Sequence, residues 1–184
     1  MKILRLNLAG QPINWLDWEA AVCMYARDLV VWSMGDVVRN VRGGISRLSG
    51  QRSIVELPSI IACGGEQMVR PRMSYPLTNP TLFARDAHLC MYCARQFTPI
   101  QLTRDHILPT SRGGTDRWEN VVCACRRCNQ FKANRTPEEA NMELIALPYK
   151  PNNAEYLALT NSSRILGDQM AFLRSQFSAN SRFL

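Results

Sequence analysis

The sequence predicts an α+β fold with a small metal-tied module in its second half. The N-terminal third alternates short apolar runs with turn residues, and two Cys-x-x-Cys pairs bracket a strand–loop–strand–helix pattern. Apolar residues at helical spacing then continue from about Asn152. We therefore expect an N-terminal α/β unit over 1–75, a metal-tied module over 80–150 and a C-terminal helical segment over 151–184.

The N-terminal unit is expected to combine strands with one helix. A strand is predicted over 3–8, and Asp17 stands where a helix N-cap belongs, before apolar residues spaced at i, i+3, i+4 and i+7 up to about Arg27. Further strands are predicted over 29–32 and 53–63, and Pro58 limits the second of these to an edge or an end of the sheet.

The segment 39–52 joins two of these strands and is polar and basic, with four arginines around Gly43-Gly44. A DNA-facing loop and a solvated hairpin both fit this pattern. A proline-rich stretch over 71–80 is typical of a connection between units.

The C-terminal part is predicted to be helical. Thr136 and Glu139 form a capping box that predicts a helix to about Leu144. Farther on, an apolar stripe at spacings of four, three and four indicates either a core-facing helix or a dimer interface. The stripe consists of Leu166, Met170, Leu173 and Phe177.

The charge of the chain points to a polyanionic partner. The formal net charge is +7 and the pI about 9.3. Nineteen of the 22 basic residues are arginine and three are lysine. Arginine grips phosphate through two parallel hydrogen bonds, so the bias favours phosphate recognition, although a GC-rich genome would enrich arginine equally.

No segment of the sequence is apolar enough to cross a membrane. The longest apolar stretch, 20–34, is interrupted by Arg27 and Asp28. The first eight residues lack a continuous apolar run of the kind that a secretion signal requires. We therefore expect a cytoplasmic protein without a membrane partner, in which seven cysteines serve as metal ligands or free thiols more often than as disulfides.

Four of the cysteines have the spacing of a structural zinc site. Two Cys-x-x-Cys pairs, separated by 31 residues, can each turn both sulfurs toward one tetrahedral ion. Redox dithiols or unrelated thiols are the alternative. The remaining three cysteines, Cys23, Cys63 and Cys123, are expected to be small buried apolar residues. The predicted zinc ligands are Cys90, Cys93, Cys125 and Cys128.

The 31 residues between the pairs contain an Asp-His pair at the end of a predicted strand, before Pro109. Phosphodiester hydrolysis needs a base for water and a cation for the growing negative charge. His106 suits the base, because neutral imidazole has a pKa near ~6.5. Asp105 suits a hard cation such as magnesium or manganese. Adjacent strand residues face opposite sides, so a shared site requires a backbone bend here.

The run DHILPTSRGGTDRWENVVCACRRCNQFKANR, preceded by CMYC, resembles the HNH endonuclease family with its ββα-metal fold. The match extends from about Arg85 to Pro137. It implies hydrolysis of DNA phosphodiester bonds, by nicking or double-strand cleavage, to 5′-phosphate and 3′-hydroxyl ends. It further implies one catalytic divalent cation beside the structural zinc. The N-terminal unit resembles the extension of some free-standing bacterial and phage HNH proteins.

The same resemblance assigns roles to two asparagines. Asn120 matches the middle Asn of the HNH pattern and is expected to fix the loop and orient His106. Asn129 lies where many members carry the final His. The HNH domain of RNA-guided CRISPR nucleases is similar in carrying Asn there as a metal ligand. An amide oxygen beside Asp105 favours magnesium, with manganese, nickel or cobalt as alternatives.

Basic residues in and around this run are candidate DNA contacts, and a solvated surface is the alternative for any single one. They are Arg104, Arg112, Arg126, Arg127, Lys132 and Arg135. The rival function is a non-catalytic zinc-containing nucleic-acid-binding module. Such a module needs the cysteines and the basic charge but has no use for Asp105, His106 and Asn129 together.

Overall fold

The computed structural model describes residues 1–45, 47–64 and 75–182. The chain divides into two units, one formed by 1–73 with 161–177 and the other by 74–160 with 178–184. Helices and strands occur in both, so the mixed α+β class is confirmed. Within the described ranges, no helix has the length and apolar character that a membrane span requires.

The first unit is built on a four-stranded sheet in the order β2-β1-β4-β3. Strand β1 runs antiparallel to β2 and parallel to β4, and β3 runs antiparallel to β4. Two helices, α1 and α5, belong to the same unit. The bounds are β1 Ile3–Leu6, β2 Pro12–Leu16, α1 Trp18–Ala26, β3 Val30–Ile45, β4 Arg52–Cys63 and α5 Gly167–Arg174.

The core of the first unit lies against α1 and the inner strands. Ile3, Leu57 and Ile61 are fully buried there, and the α1 side chains Trp18 and Tyr25 pack on them. Helix α5 is fixed by a buried Gln169, whose amide donates to the carbonyl oxygens of Lys2 and Ser59 at 2.9 and 2.8 Å. The C-terminal helix therefore completes the N-terminal core.

Strands β3 and β4 form a much longer hairpin than the sequence indicated. Their pairing continues from Val30–Cys63 to Ile45–Arg52, whereas β1 pairs with β4 only over residues 60–62. Segment 39–52 is thus mostly a solvated hairpin and not a loop. The expectation that 53–63 lies at an edge or an end of the sheet holds only in part, because β4 is an inner strand over residues 60–62 but pairs with β3 alone at Pro58. Pro58 is tolerated since it lies before the stretch that pairs with β1.

The second unit contains a two-stranded antiparallel sheet followed at once by a short helix. Strand β5 pairs with β6 in a register that runs from Leu102–Cys125 to His106–Val121 without a shift. Helix α3 begins directly after β6, and Ala133, with φ +50°, ends it. The elements are α2 Asn79–Arg85, β5 Leu102–His106, β6 Val121–Cys125, α3 Arg126–Lys132 and α4 Asn153–Thr160.

A buried ion network fixes α2 to this sheet. The fully buried guanidinium of Arg85 makes two hydrogen bonds to Asp86 and also donates to the carbonyl oxygens of Trp118 and Val121. Asp86 in turn accepts from the Cys123 amide of β6 and from Arg182. Both members of the buried Arg85–Asp86 pair thus have further hydrogen-bond partners, and a buried ion pair is tolerated only under that condition.

The capping box at Thr136, the three remaining cysteines and the segment 151–184 agree with the expectations only in part. Thr136 and Glu139 do form the expected reciprocal hydrogen bonds, but only turns follow, since Asn141 adopts φ +53° and interrupts the helical path. Cys23 is exposed, whereas Cys63 and Cys123 are buried as expected. The segment 151–184 contributes α4 to the second unit and α5 to the first.

Candidate functional site

The sulfur atoms of Cys90, Cys93, Cys125 and Cys128 all lie within 4.8 Å of one another. A tetrahedral zinc with Zn–S bonds near ~2.3 Å places its sulfurs roughly 3.8 Å apart, so the cluster fits zinc after a small contraction. The first pair lies in a tight turn closed by the Ala94 amide on the Cys90 carbonyl at 3.0 Å. The second pair occupies the junction of β6 and α3. These four cysteines could therefore hold zinc.

The electrostatics of the cluster favour a cation at its centre. Burial works to raise the pKa of Cys90, but hydrogen bonds from neighbouring groups outweigh burial and hold that pKa below its usual range. Burial and the adjacent Cys125 and Cys90 sulfurs raise the pKa of Cys128. Four clustered thiols resist becoming four thiolates unless a positive ion offsets their repulsion.

Strand β5 presents its alternating side chains to two different environments. Thr103 and Asp105 face α3, where Asn129 and Lys132 contact them. Arg104 and His106 point to the other side and share one partner, Asp116. The expected backbone bend is not observed, because the β5–β6 register is regular through His106. Asp105 and His106 therefore remain on opposite faces.

Asp105 is buried, with 4% of its surface exposed, and both of its oxygens are hydrogen-bonded. The hydroxyl of Tyr92, from the turn between the first two cysteines, donates to Oδ2. Lys132 donates from Nζ to Oδ1 at 3.0 Å and to the His106 carbonyl at 2.7 Å. Burial, followed by the bond to Asp105, raises the pKa of Tyr92, so its hydroxyl stays a donor.

His106 is oriented by a carboxylate from the following loop. Its Nε2 lies 3.0 Å from Oδ1 of Asp116, and Arg104 binds the other oxygen of the same group. Partial burial works to raise the pKa of Asp116, but Arg104 and His106 outweigh it and hold that pKa below its usual range. An ionised Asp116 can only accept, so in the tautomer that satisfies this contact Nε2–H donates to Asp116 and Nδ1 carries the free lone pair.

Asn120 closes the loop that begins directly after His106. Its side-chain oxygen accepts from the Leu108 amide at 3.0 Å, and its side-chain nitrogen donates to the carbonyls of Leu108 and Thr115 at 3.2 and 2.9 Å. The Asn120 backbone carbonyl accepts from Ile107. These bonds fix the loop that carries Asp116, so Asn120 acts on His106 indirectly.

Asn129 lies on the α3 face that meets β5. Its Nδ2 donates to Thr103 Oγ1 at 2.9 Å and to the Arg104 carbonyl at 3.4 Å. The amide nitrogen is thereby directed at the strand, and Oδ1 is the atom able to ligate a cation.

Four of the candidate DNA-contact arginines bind groups of the protein itself, among them Arg126, which donates to the Ile100 carbonyl at 3.1 Å. Arg104 is held by Asp116 and by the Asn79 side chain. Arg112 pairs with both oxygens of Glu139 at 2.6 and 2.7 Å. Arg135 donates to the carbonyls at the end of α3. Lys132 is fully buried, so its ammonium contacts Asp105 and not solvent.

Arg126 and Arg127 line a groove of about 1050 Å³ beside the cysteine cluster. Arg95 is the third arginine of this groove, and its walls also carry the exposed apolar side chains of Ile100 and Phe131. No acidic side chain lines it among the residues that the structure describes. The groove is therefore a cationic surface with an apolar lining.

Comparisons with known proteins match the segment that carries these residues. Residues 90–145 match the family model described as HNH endonuclease. The resemblance to this family is confirmed. A segment of the chain is also similar to the CRISPR-associated endonuclease Cas9 of Corynebacterium diphtheriae, with 44% identity over 46 residues. That segment is 24% of this chain and 4% of the Cas9 protein, so the chain spans only a small part of this relative.

Two residues of the matched segment 90–145 contact candidate site residues although neither was predicted as a site residue. Tyr92 binds Asp105, and Asp116 binds His106. A usable signal existed for Asp116, since it and Glu119 are the only carboxylates between His106 and Asn120. For Tyr92 no comparable signal existed, because its contact with Asp105 depends on the folded turn.

We expect the purified protein to contain one zinc per chain and the Cys125→Ser variant to lose it. The variant also loses the Sγ that accepts from the Cys128 amide at the start of α3, so its melting temperature should fall. Elemental analysis and thermal unfolding measure the two effects. Cys23→Ser, an exposed cysteine outside the cluster, is the matched control and should keep both values. Zinc-free wild-type protein that is folded would contradict the assignment.

Proposed function

We propose that this protein is a metal-dependent HNH endonuclease that hydrolyses DNA phosphodiester bonds, with β5, β6 and α3 as its ββα-metal module. The observation that carries the proposal is the pair Asp105 and His106. They are the last two residues of β5, and each is held by its own set of partners. Because their side chains leave opposite faces of the strand, the phosphate on which both act would lie at the end of β5. A buried carboxylate able to bind a cation and an oriented imidazole able to accept a proton are the two groups that such hydrolysis requires.

Asp105 and Asn129 would hold the catalytic cation. Both lie on the β5–α3 interface, and both offer hard oxygen atoms, which suits magnesium or manganese over softer ions. An ionised carboxylate has about four lone-pair sites, so the bonds from Tyr92 and Lys132 leave Asp105 able to bind an ion. When bound, the cation would stabilise negative charge on the phosphate and on the leaving oxygen.

His106 would activate the attacking water. Its Nδ1 accepts a proton from water as the oxygen attacks phosphorus, and the bond from phosphorus to the leaving 3′ oxygen breaks, which yields 5′-phosphate and 3′-hydroxyl ends. Asp116 stays ionised throughout and stabilises the imidazolium through Nε2. Asn120 keeps the loop of Asp116 in place.

Tyr92 and Lys132 would position the Asp105 carboxylate. The hydroxyl of Tyr92 reaches Oδ2 from the turn between Cys90 and Cys93, so the zinc site would also orient Asp105, the proposed ligand of the catalytic cation. The Lys132 ammonium fixes Oδ1 and adds positive charge at the site. In a reducing cytoplasm, which the sequence favours, the cysteines stay reduced and able to bind zinc.

One observation favours a second candidate function, a non-catalytic zinc-containing nucleic-acid-binding module. The buried Lys132–Asp105 pair satisfies this carboxylate without any bound cation. Plasmid nicking distinguishes the two functions. Supercoiled DNA incubated with protein and magnesium should be nicked or linearised, and DNA without added divalent metal should stay intact. Binding without cleavage under every metal would favour the second candidate.

We expect His106→Ala to abolish cleavage while zinc content and DNA affinity stay at wild-type values. Loss of a general base usually lowers the rate by about 10²- to 10⁴-fold. The measurement is single-turnover cleavage of a defined duplex, with zinc content determined in parallel. His88→Ala changes the other histidine of the chain and serves as the control. Cleavage by His106→Ala at the wild-type rate would remove His106 from the mechanism.

Asp116→Asn should slow cleavage without weakening activation by magnesium. The amide cannot stabilise the imidazolium, and outer partners of this kind are worth roughly 10- to 100-fold. Because Asp116 contacts His106 and Arg104 and not Asp105, the magnesium concentration for half-maximal rate should not change. A shift in that concentration with an unchanged maximal rate would place Asp116 at the cation instead.

Substitutions at Asn129 test the ligand assignment. Asn129→Ala should lose magnesium-supported cleavage, whereas Asn129→His should keep activity with manganese, cobalt or nickel and lose proportionately more with magnesium, since imidazole prefers later transition metals. Cleavage rates across the metal series, compared beside melting temperatures, provide the measurement. If Asn129→His keeps the wild-type order of metals, Asn129 is a structural residue that only ties α3 to β5.

A further inference from the structure

The outer half of the β3–β4 hairpin extends beyond the rest of its sheet. Strand β1 accompanies β4 only over residues 60–62, whereas the pairs Arg42–Ile54 and Ile45–Arg52 join β3 and β4 alone. Every residue described between 42 and 54 is exposed. We call residues 42–54 the ribbon. At about 3.3 Å per residue it carries two strands and a turn well away from the packed core.

The charged residues of the ribbon and of its base, residues 37–55, are all positive. Residues 37–55 contain Arg39, Arg42, Arg47 and Arg52 and no aspartate or glutamate. These 19 residues thus carry a net charge of +4, compared with +7 for the whole chain. Arg39 stacks on the Trp18 ring, 4.3 Å from its centre, and remains at the base, whereas the other three arginines lie on the ribbon.

Apolar side chains on the ribbon are also exposed to solvent. Leu48 at the turn is 102% exposed, and Ile45 and Ile54 are 63% and 60% exposed. A two-stranded hairpin without a covered face is marginally stable in water, so an arrangement of this kind gains from a partner that covers it. Positive charge around the apolar side chains requires that this partner be a polyanion with apolar surface between its charges.

The ribbon is narrow where it leaves the base. A Cβ atom on Gly43 would lie 2.2 Å from the Ser53 hydroxyl oxygen, so a larger residue here would displace the Ser53 side chain. Ser53 donates across the ribbon to the Gly44 carbonyl at 3.3 Å. Small residues on both strands leave the backbone as the main bulk of this segment.

We propose that the ribbon is a second DNA-binding element, which enters the major groove of double-stranded DNA. This groove, about 12 Å wide, admits a two-stranded ribbon and is about twice as wide as the minor groove. Arg42, Arg47 and Arg52 pair with phosphates along the groove, and Leu48 contacts the base edges. The proposal goes beyond the proposed catalytic function, because it concerns binding by the first unit and requires no cleavage.

Fluorescence anisotropy with a labelled 24-base-pair duplex, without added magnesium, tests the ribbon. The variant Arg42→Gln/Arg47→Gln/Arg52→Gln should raise the Kd at least tenfold. It should also make the slope of log K against log salt shallower by about 0.9 for each phosphate that the variant no longer neutralises. The matched control Arg27→Gln/Arg164→Gln/Arg174→Gln removes the same charge from exposed arginines elsewhere in the first unit and should change the Kd less than twofold.

Equal weakening by the two triple variants would overturn the proposal, since net charge alone would then explain binding. An unchanged Kd in the ribbon variant would overturn it as well. Sedimentation velocity at the same concentrations covers the other occupant. If the ribbon variant turns a wild-type dimer into a monomer, the ribbon is an interface between copies of the chain. Wild-type protein that binds through the ribbon but never nicks plasmid refutes only the catalytic function.

Discussion

The module formed by β5, β6 and α3 depends on one constraint, the close clustering of the four sulfur atoms of Cys90, Cys93, Cys125 and Cys128. The module has only two short strands and one two-turn helix, too little to bury a core by itself. The cysteines join the turn before β5 to the end of β6 and the start of α3. That closure determines where Tyr92 stands, and Tyr92 in turn holds the acid that faces α3. The phenol of Tyr92 therefore joins the cysteine cluster to the proposed catalytic site.

Strand β5 separates the two halves of the proposed reaction. Its odd-numbered side chains, Thr103 and Asp105, belong to the cation side, and its even-numbered ones, Arg104 and His106, belong to the base side. The separation follows from the period of two along any strand and needs no bend. On each side a carboxylate is paired with a basic residue, Asp105 with Lys132 and Asp116 with Arg104.

Local patterns predicted the parts whose cause is local. The cysteine spacing, the order of β5, β6 and α3, and the residues Asp105, His106, Asn120 and Asn129 all follow from short stretches of sequence. What the sequence could not supply depends on contacts between distant positions. The burial of Lys132 needs Asp105, 27 residues away. The turn after Thr136 satisfies its capping box without propagating a helix, and the inner position of β4 depends on its pairing with β1.

The interleaving of the two units has a consequence for synthesis on the ribosome. Domains commonly fold in order as the chain emerges, the N-terminal one first. In this protein the core of the first unit is complete only when Gln169 and Leu173 are buried in it. The second unit is complete only when Arg182 binds the buried Asp86. Both units thus mature together, after residues 161–182 leave the exit tunnel.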